Sequence, residues 1–129
     1  MKKTILSILA AIGIGTASCS AEDGIVVLSP KEFISQAKAD TTAVILDVRT
    51  PAEYAEGHLE GAKQLDYLDA EAFDVGVKSL DKANTYYVYC RSGRRSHGAC
   101  EKMKAQGFKV FDMEGGYLNW TKQGLPVVK

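Results

Sequence analysis

The chain reads as a single α/β domain in which helices cover both faces of a mainly parallel sheet. Three observations predict it. Short β-rich runs at residues 25–28, 43–46, 85–89 and 109–112 alternate with helical patterns, the order that yields parallel strands joined by crossover helices. Ala43-Val44-Ile45-Leu46 is apolar without a break, as expected of a strand covered on both sides. Finally, Asp47, Arg49, Cys90 and Glu114 each fall just past a strand, where the active crevice of such sheets lies.

Ile25-Val26-Val27-Leu28 gives the first strand. Ser29-Pro30-Lys31-Glu32 then opens a helix: Ser29 can cap it, Pro30 gives up no needed donor at the first helical position, and Glu32 can close a capping box. Phe33, Ile34 and Ala37 mark its apolar face. After the strand at 43–46, Thr50-Pro51-Ala52-Glu53 starts a short helical turn. Gly57-His58 and Gly61 punctuate a loop that leads to a weak strand at Ala62–Leu65. Residues 69–78 are expected to be helical. Thr85–Tyr89, all aromatic or β-branched, is a central strand, with Tyr86, Tyr87 and Tyr89 packing there. A helix over roughly 95–106 ends at Gly107 and puts Ala99, Cys100 and Met103 on one side. Lys109-Val110-Phe111-Asp112 is the last strand, and Gly116–Gln123 a last helix with Tyr117 and Trp120 in the core.

The first 18 residues follow a different logic. Lys2 and Lys3 precede an uncharged, largely apolar run from Ile5 to Ala17, too short for a membrane-spanning helix, so residues 1–18 are expected to be a bacterial export signal. Thr16-Ala17-Ser18-Cys19 resembles a lipoprotein cleavage site, in which Cys19 would be lipidated and residues 19–24 would form a short tether. Ordinary cleavage after Ala17 or Ala21 is the alternative. On this reading the domain spans 25–129, and the protein is exported to the periplasm or cell surface, membrane-anchored or otherwise soluble in the periplasm.

The whole chain of 129 residues carries 16 Lys and Arg against 16 Asp and Glu. Loss of Lys2 and Lys3 with the signal leaves 14 against 16, a slightly acidic protein with no electrostatic case for nucleic acid. The three cysteines, Cys19, Cys90 and Cys100, show neither a disulfide framework nor a CxxC pair for zinc or redox work. No metal or cofactor is expected.

Against that neutral background, Tyr89-Cys90-Arg91-Ser92-Gly93-Arg94-Arg95-Ser96 stands out as a basic island around a thiol. A cysteine ending a buried strand, followed by a tight loop and a helix, meets backbone N–H groups, about half a positive charge at the helix N-terminus, and arginines. Such surroundings favour the thiolate. Gly93 lets the backbone turn tightly.

The loop resembles the active-site loop of single-domain rhodaneses. Leu46-Asp47-Val48-Arg49-Thr50-Pro51-Ala52-Glu53-Tyr54 with Gly57-His58-Leu59 and Gly61-Ala62 resembles the family's first signature. Glu114-Gly115-Gly116 with Trp120, Gly124 and Pro126 resembles its closing element. The likeness covers about residues 25–128; Glu60 replaces a proline common in the family. It implies a rhodanese-like domain that moves sulfane sulfur; with the signal read above, the protein is expected to be exported, and it is expected to be a monomer. Cys90 would be the nucleophile and persulfide carrier. The backbone of Arg91, Ser92, Gly93, Arg94, Arg95 and Ser96 would stabilise the persulfide, and the arginines would bind a small anionic donor such as thiosulfate. The acceptor would be cyanide, a thiol or a protein, and Asp47 with Arg49 would support the site as an ion pair.

Two other readings compete. A rhodanese-like binding or sensing module could carry persulfide or sulfenate without turnover. Phosphatases and arsenate reductases need Cys-x5-Arg, a loop one residue longer than the one ending at Arg95; Ser96 stands where their arginine would be. Cys100 is expected in the core and acts as a resolving thiol only if it reaches Cys90. His58 is expected to make a structural hydrogen bond, and His97 to sit exposed on the first turn of its helix.

Overall fold

The computed structural model describes residues 24–129, together with the backbone of Cys19 and Ser20. The expected export signal at 1–18 and part of the tether lie outside the described residues. In chain order the elements are β1 (Cys19–Ser20), β2 (Val26–Leu28), α1 (Pro30–Ala39), β3 (Ala43–Asp47), α2 (Pro51–Glu56), β4 (Lys63–Gln64), α3 (Ala70–Lys78), β5 (Thr85–Tyr89), α4 (Arg94–Ala105), β6 (Lys109–Met113) and α5 (Gly116–Lys122).

The strands form one sheet in the order β1-β2-β6-β5-β3-β4. Five of them run parallel, from β2 to β4, as the alternation of strand and helix requires. The exception is β1. Cys19 and Ser20 pair antiparallel with Val27 and Val26, so the first two residues assigned to the tether extend the sheet instead. An edge strand offers unpaired backbone groups to any nearby chain, and β1 covers part of the edge that β2 would otherwise present.

Side chains alternate along each strand and divide the core in two. On one face Leu46, Val48, Tyr86, Val88, Cys90 and Val110 meet Phe73 and Val77 of α3 and Ala99, Cys100 and Met103 of α4. On the other, Tyr87, Tyr89 and Met113 meet Phe33 and Ala37 of α1 and Trp120 of α5. The caps form where sequence predicts them, except that Glu32 closes no capping box on α1: its Oε1 is buried without a hydrogen-bond partner. Ser29 accepts the Glu32 N–H at the start of α1. Thr50 and Glu53 complete a reciprocal capping box on α2, with Pro51 at its first position.

Candidate active site

The register β3–β5 aligns Asp47 with Tyr89, and Cys90 follows at the carboxyl end of β5. Cys90 is fully buried, and the Gly93 N–H donates to its Sγ at 3.0 Å. Gly93 has φ 103°, a left-handed conformation that suits glycine, and N-caps α4 without offering a side chain. The N–H groups of Arg94, Arg95 and Ser96, in the first turn, therefore have no intrahelical acceptor and concentrate positive potential beside the loop. Of the cradle expected from residues 91–96, the Gly93 N–H is the group that reaches the sulfur within hydrogen-bond distance; the others add field.

The loop is held from beyond by α5. Tyr117 N–H donates to the Cys90 carbonyl at 2.8 Å and Leu118 N–H to the Arg91 carbonyl at 3.0 Å. This close docking explains Gly116: a Cβ there would come within 2.6 Å of the Cys90 and Arg91 carbonyl oxygens, and its φ is +60°.

Asp47 and Arg49 pair as expected. Arg49 Nη2 donates to Asp47 Oδ2 at 2.7 Å and Nε to Oδ1 at 3.0 Å, with both residues buried. The Arg49 N–H also donates to Asp47 Oδ1, and Nη2 donates to the Gly57 carbonyl at 2.6 Å. The guanidinium lies 4.2 Å from the ring centre of Tyr117 and 5.5 Å from that of Tyr89. Burial works against the charge of Arg49, but the hydrogen bonds and attraction of Asp47 outweigh it, so its pKa is raised. Tyr89 does more than pack: its hydroxyl donates to Asp47 Oδ2 at 2.6 Å and accepts the Leu59 N–H. Burial first, then the Asp47 charge, pushes that phenol up.

The three arginines of the loop have different fates. Arg95 donates from Nη1 and Nη2 to the two oxygens of Glu53, at 2.8 and 3.0 Å, a bidentate clamp from α4 to α2. These bonds, ahead of all other causes, hold the Glu53 carboxyl down at about 2. Arg91 and Arg94 are exposed and have no acidic partner among the described residues. Ser92 is exposed beside them, whereas Ser96 is buried with its hydroxyl donating to the Gly93 carbonyl at 3.2 Å.

His58 is structural, as expected: its Nδ1 lies 2.9 Å from the Tyr54 carbonyl and its ring stacks on Tyr54. His97 departs from expectation. It is half-buried, with Nδ1 3.5 Å from Asp112 Oδ2. Asp112 is itself a buried acid that the strand pattern gave no reason to single out, because its neighbours come from α4. Cys100 lies in the core with its Sγ 3.8 Å from the Phe111 carbonyl. A hollow of about 800 Å³ opens at the amino end of the strands, between Asp40, Thr85 and Lys109. It is at the far end from Cys90, so volume does not mark the chemistry here.

Comparison with known proteins agrees with this geometry. Residues 29–123 match the rhodanese-like domain family. The chain is 39% identical over 99 residues to a sulfurtransferase of Allochromatium vinosum, covering 75% of this chain and 90% of that protein. It is 39% identical over 87 residues to the thiosulfate sulfurtransferase GlpE of Pseudomonas fluorescens, covering 67% and 77%. Among solved structures, a rhodanese-related protein of Thermoplasma volcanium superposes with a TM-score of 0.70 at 27% identity, covering 79% of this chain and 96% of that one.

Proposed function

Since the chain belongs to the rhodanese-like domain family, we propose that it is a thiosulfate-type sulfurtransferase with Cys90 as its nucleophile. The observation that carries this is the Cys90–Gly93 contact at the N-terminus of α4, an anion-holding turn with two unpaired arginines at its rim. The Cys90 thiolate attacks the outer sulfur of thiosulfate; the sulfur–sulfur bond breaks and sulfite leaves with the electron pair. Cys90 then carries a persulfide, whose terminal anion the Gly93 N–H and the helix N-terminus stabilise. A cyanide or thiol acceptor attacks the outer sulfur and the Cys90 thiolate departs, closing the cycle.

Arg91 and Arg94 are the residues that hold the donor's sulfonate. Arg95 is committed to Glu53 and acts by tying α4 to α2. Thiocyanate formation from thiosulfate and cyanide tests the reading: wild type turns over, and Cys90→Ala reduces the rate to that of buffer. Equal rates in both proteins would refute it. A stable Cys90 persulfide with no thiocyanate would favour the sensing module instead.

Residues 1–18 serve as the export signal and Cys19 as a lipid anchor, a reading supported by Lys2-Lys3, the apolar run and Ser18-Cys19. Mass spectrometry of the mature protein should find a lipidated Cys19 terminus; an unmodified terminus at Ser18 or Glu22 would rule out the anchor.

A further inference from the structure

Ser96 owns one hydroxyl donor, and two acceptors lie within its reach. One is the Gly93 carbonyl at 3.2 Å, the acceptor the hydroxyl uses; the other is the buried Asp112 carboxylate of β6, beneath the first turn of α4, whose pKa Ser96 draws down. Gly93 is also the residue whose N–H bonds the Cys90 sulfur. Asp112 is therefore one side chain removed from the turn beneath the nucleophile. Its surroundings are unusual: it is 3% exposed, its Oδ2 is 3.5 Å from His97 Nδ1, and its Oδ1 has no hydrogen-bond partner. An ionised carboxylate with an unpaired buried oxygen is costly. Burial accordingly pushes the Asp112 carboxyl up to about 6, against the opposing pull of Ser96 and His97.

The register pairs Asp112 with Val88, so Asp112 and Cys90 point to the same face of neighbouring strands. Strand spacing and rise put their Cα atoms about 8 Å apart. The other titratable groups on this face are His97 and Cys100 of α4, Tyr86 and Cys90 of β5, and Tyr67, whose hydroxyl lies against Gly98 of α4. Tyr86 donates its hydroxyl to the Asp81 carbonyl, and β2 on the other side presents only apolar residues. The charged groups of α4 turn elsewhere: Arg95 to Glu53, Lys104 to the Gly24 carbonyl and Lys102 to Asp74, while Arg94 and Glu101 are exposed.

We propose that Asp112 is a positioning residue of the sulfur site, acting through the Ser96 hydroxyl on the Gly93 turn that faces Cys90. With Asp112 protonated, the Ser96 hydroxyl stays on the Gly93 carbonyl and the turn is closed on the sulfur. With Asp112 ionised, the carboxylate draws that hydroxyl away, because charge-assisted bonds are the stronger. Its negative charge then also faces the sulfur anion. Both effects act in one direction: ionised Asp112 lowers the reactivity of Cys90. The proposal rests on the sulfur-transfer reading only in taking Cys90 as the reactive group.

The test is the pH dependence of Cys90 alkylation by iodoacetamide in the full chain, with the modified cysteine assigned by peptide mass. Below the thiol's own titration the rate should rise tenfold per pH unit, and wild type should show a shallower shoulder near pH 6, where Asp112 ionises. Asp112→Asn should remove the shoulder and raise the rate at neutral pH by about three- to tenfold. His97→Gln should keep the shoulder and move it to higher pH, and Ser96→Ala, which retains the charge but not the relay, should shrink it. A wild-type profile without a shoulder, or an Asp112→Asn profile that superposes on it, would overturn the role of Asp112. An undiminished shoulder in Ser96→Ala would overturn the route through Ser96. Alkylation needs no sulfur donor. A shoulder in a protein that forms no thiocyanate would thus sink the sulfurtransferase reading and leave this one standing.

Discussion

Asp47 and Asp112 flank the cysteine strand, one on β3 and one on β6, both buried, and the fold treats them in opposite ways. Asp47 faces α5 and receives the guanidinium and N–H of Arg49 and the hydroxyl of Tyr89. Asp112 faces α4 and keeps one oxygen with no partner. The first is a saturated ion pair that fixes the loop after β3, which bonds to Gly57 and, through Gln64, back to the Arg49 carbonyl. The second is an under-satisfied acid that can change charge within the physiological range. A buried charge thus anchors structure when its hydrogen bonds are complete, and becomes adjustable when they are not.

The largest effect separating the two comes from removing Asp47. Asp47→Ala leaves the Arg49 guanidinium buried without its partner and should cost about 3–5 kcal/mol of stability by urea denaturation. A loss below about 1 kcal/mol would mean that the pair is not the anchor described.

Asp112 should respond with the opposite sign. Its folded pKa, about 6, lies above its ordinary value of 3.8, so folding carries no ionisation penalty below that value. Stability falls as pH rises from 3.8 to 6 and stays reduced above it. Asp112→Asn should therefore be more stable than wild type at neutral pH, by about 1–3 kcal/mol, with the difference disappearing in acid. A less stable Asp112→Asn protein at neutral pH would erase the contrast with Asp47.

Glu53 gives the smallest effect. It is half-buried and its pKa is lowered from 4.5 to about 2, chiefly by Arg95, so its contribution is full above 4.5 and lost as pH falls toward 2. Glu53→Gln should cost about 1 kcal/mol at neutral pH and flatten the acid limb of the stability curve. A variant with the wild-type acid limb would show that the clamp on Arg95 is energetically idle.

These contrasts also mark what was legible in the sequence. Local chemistry was: Ser29-Pro30 and Thr50-Pro51 announce helix starts within four residues, and Thr85–Tyr89 announces its strand by composition. The cysteine loop was legible because its nucleophile, its turn glycine and its helix start are contiguous. Partners set by register were not. Tyr89 meets Asp47 across 42 positions, Arg95 meets Glu53 across 42, and nothing near Asp112 in sequence says that Ser96 and His97 will cover it. The pairing of Cys19-Ser20 with β2 was likewise invisible, since two small polar residues have no strand signature.

The central claim is that Cys90 takes and holds a sulfur atom, and its most direct measurement is the mass of the Cys90 peptide after incubation with thiosulfate. The account predicts a gain of about 32 Da on Cys90, none on Cys100, and its removal by cyanide with release of thiocyanate. An unmodified Cys90, or a sulfur adduct confined to another cysteine, would contradict it.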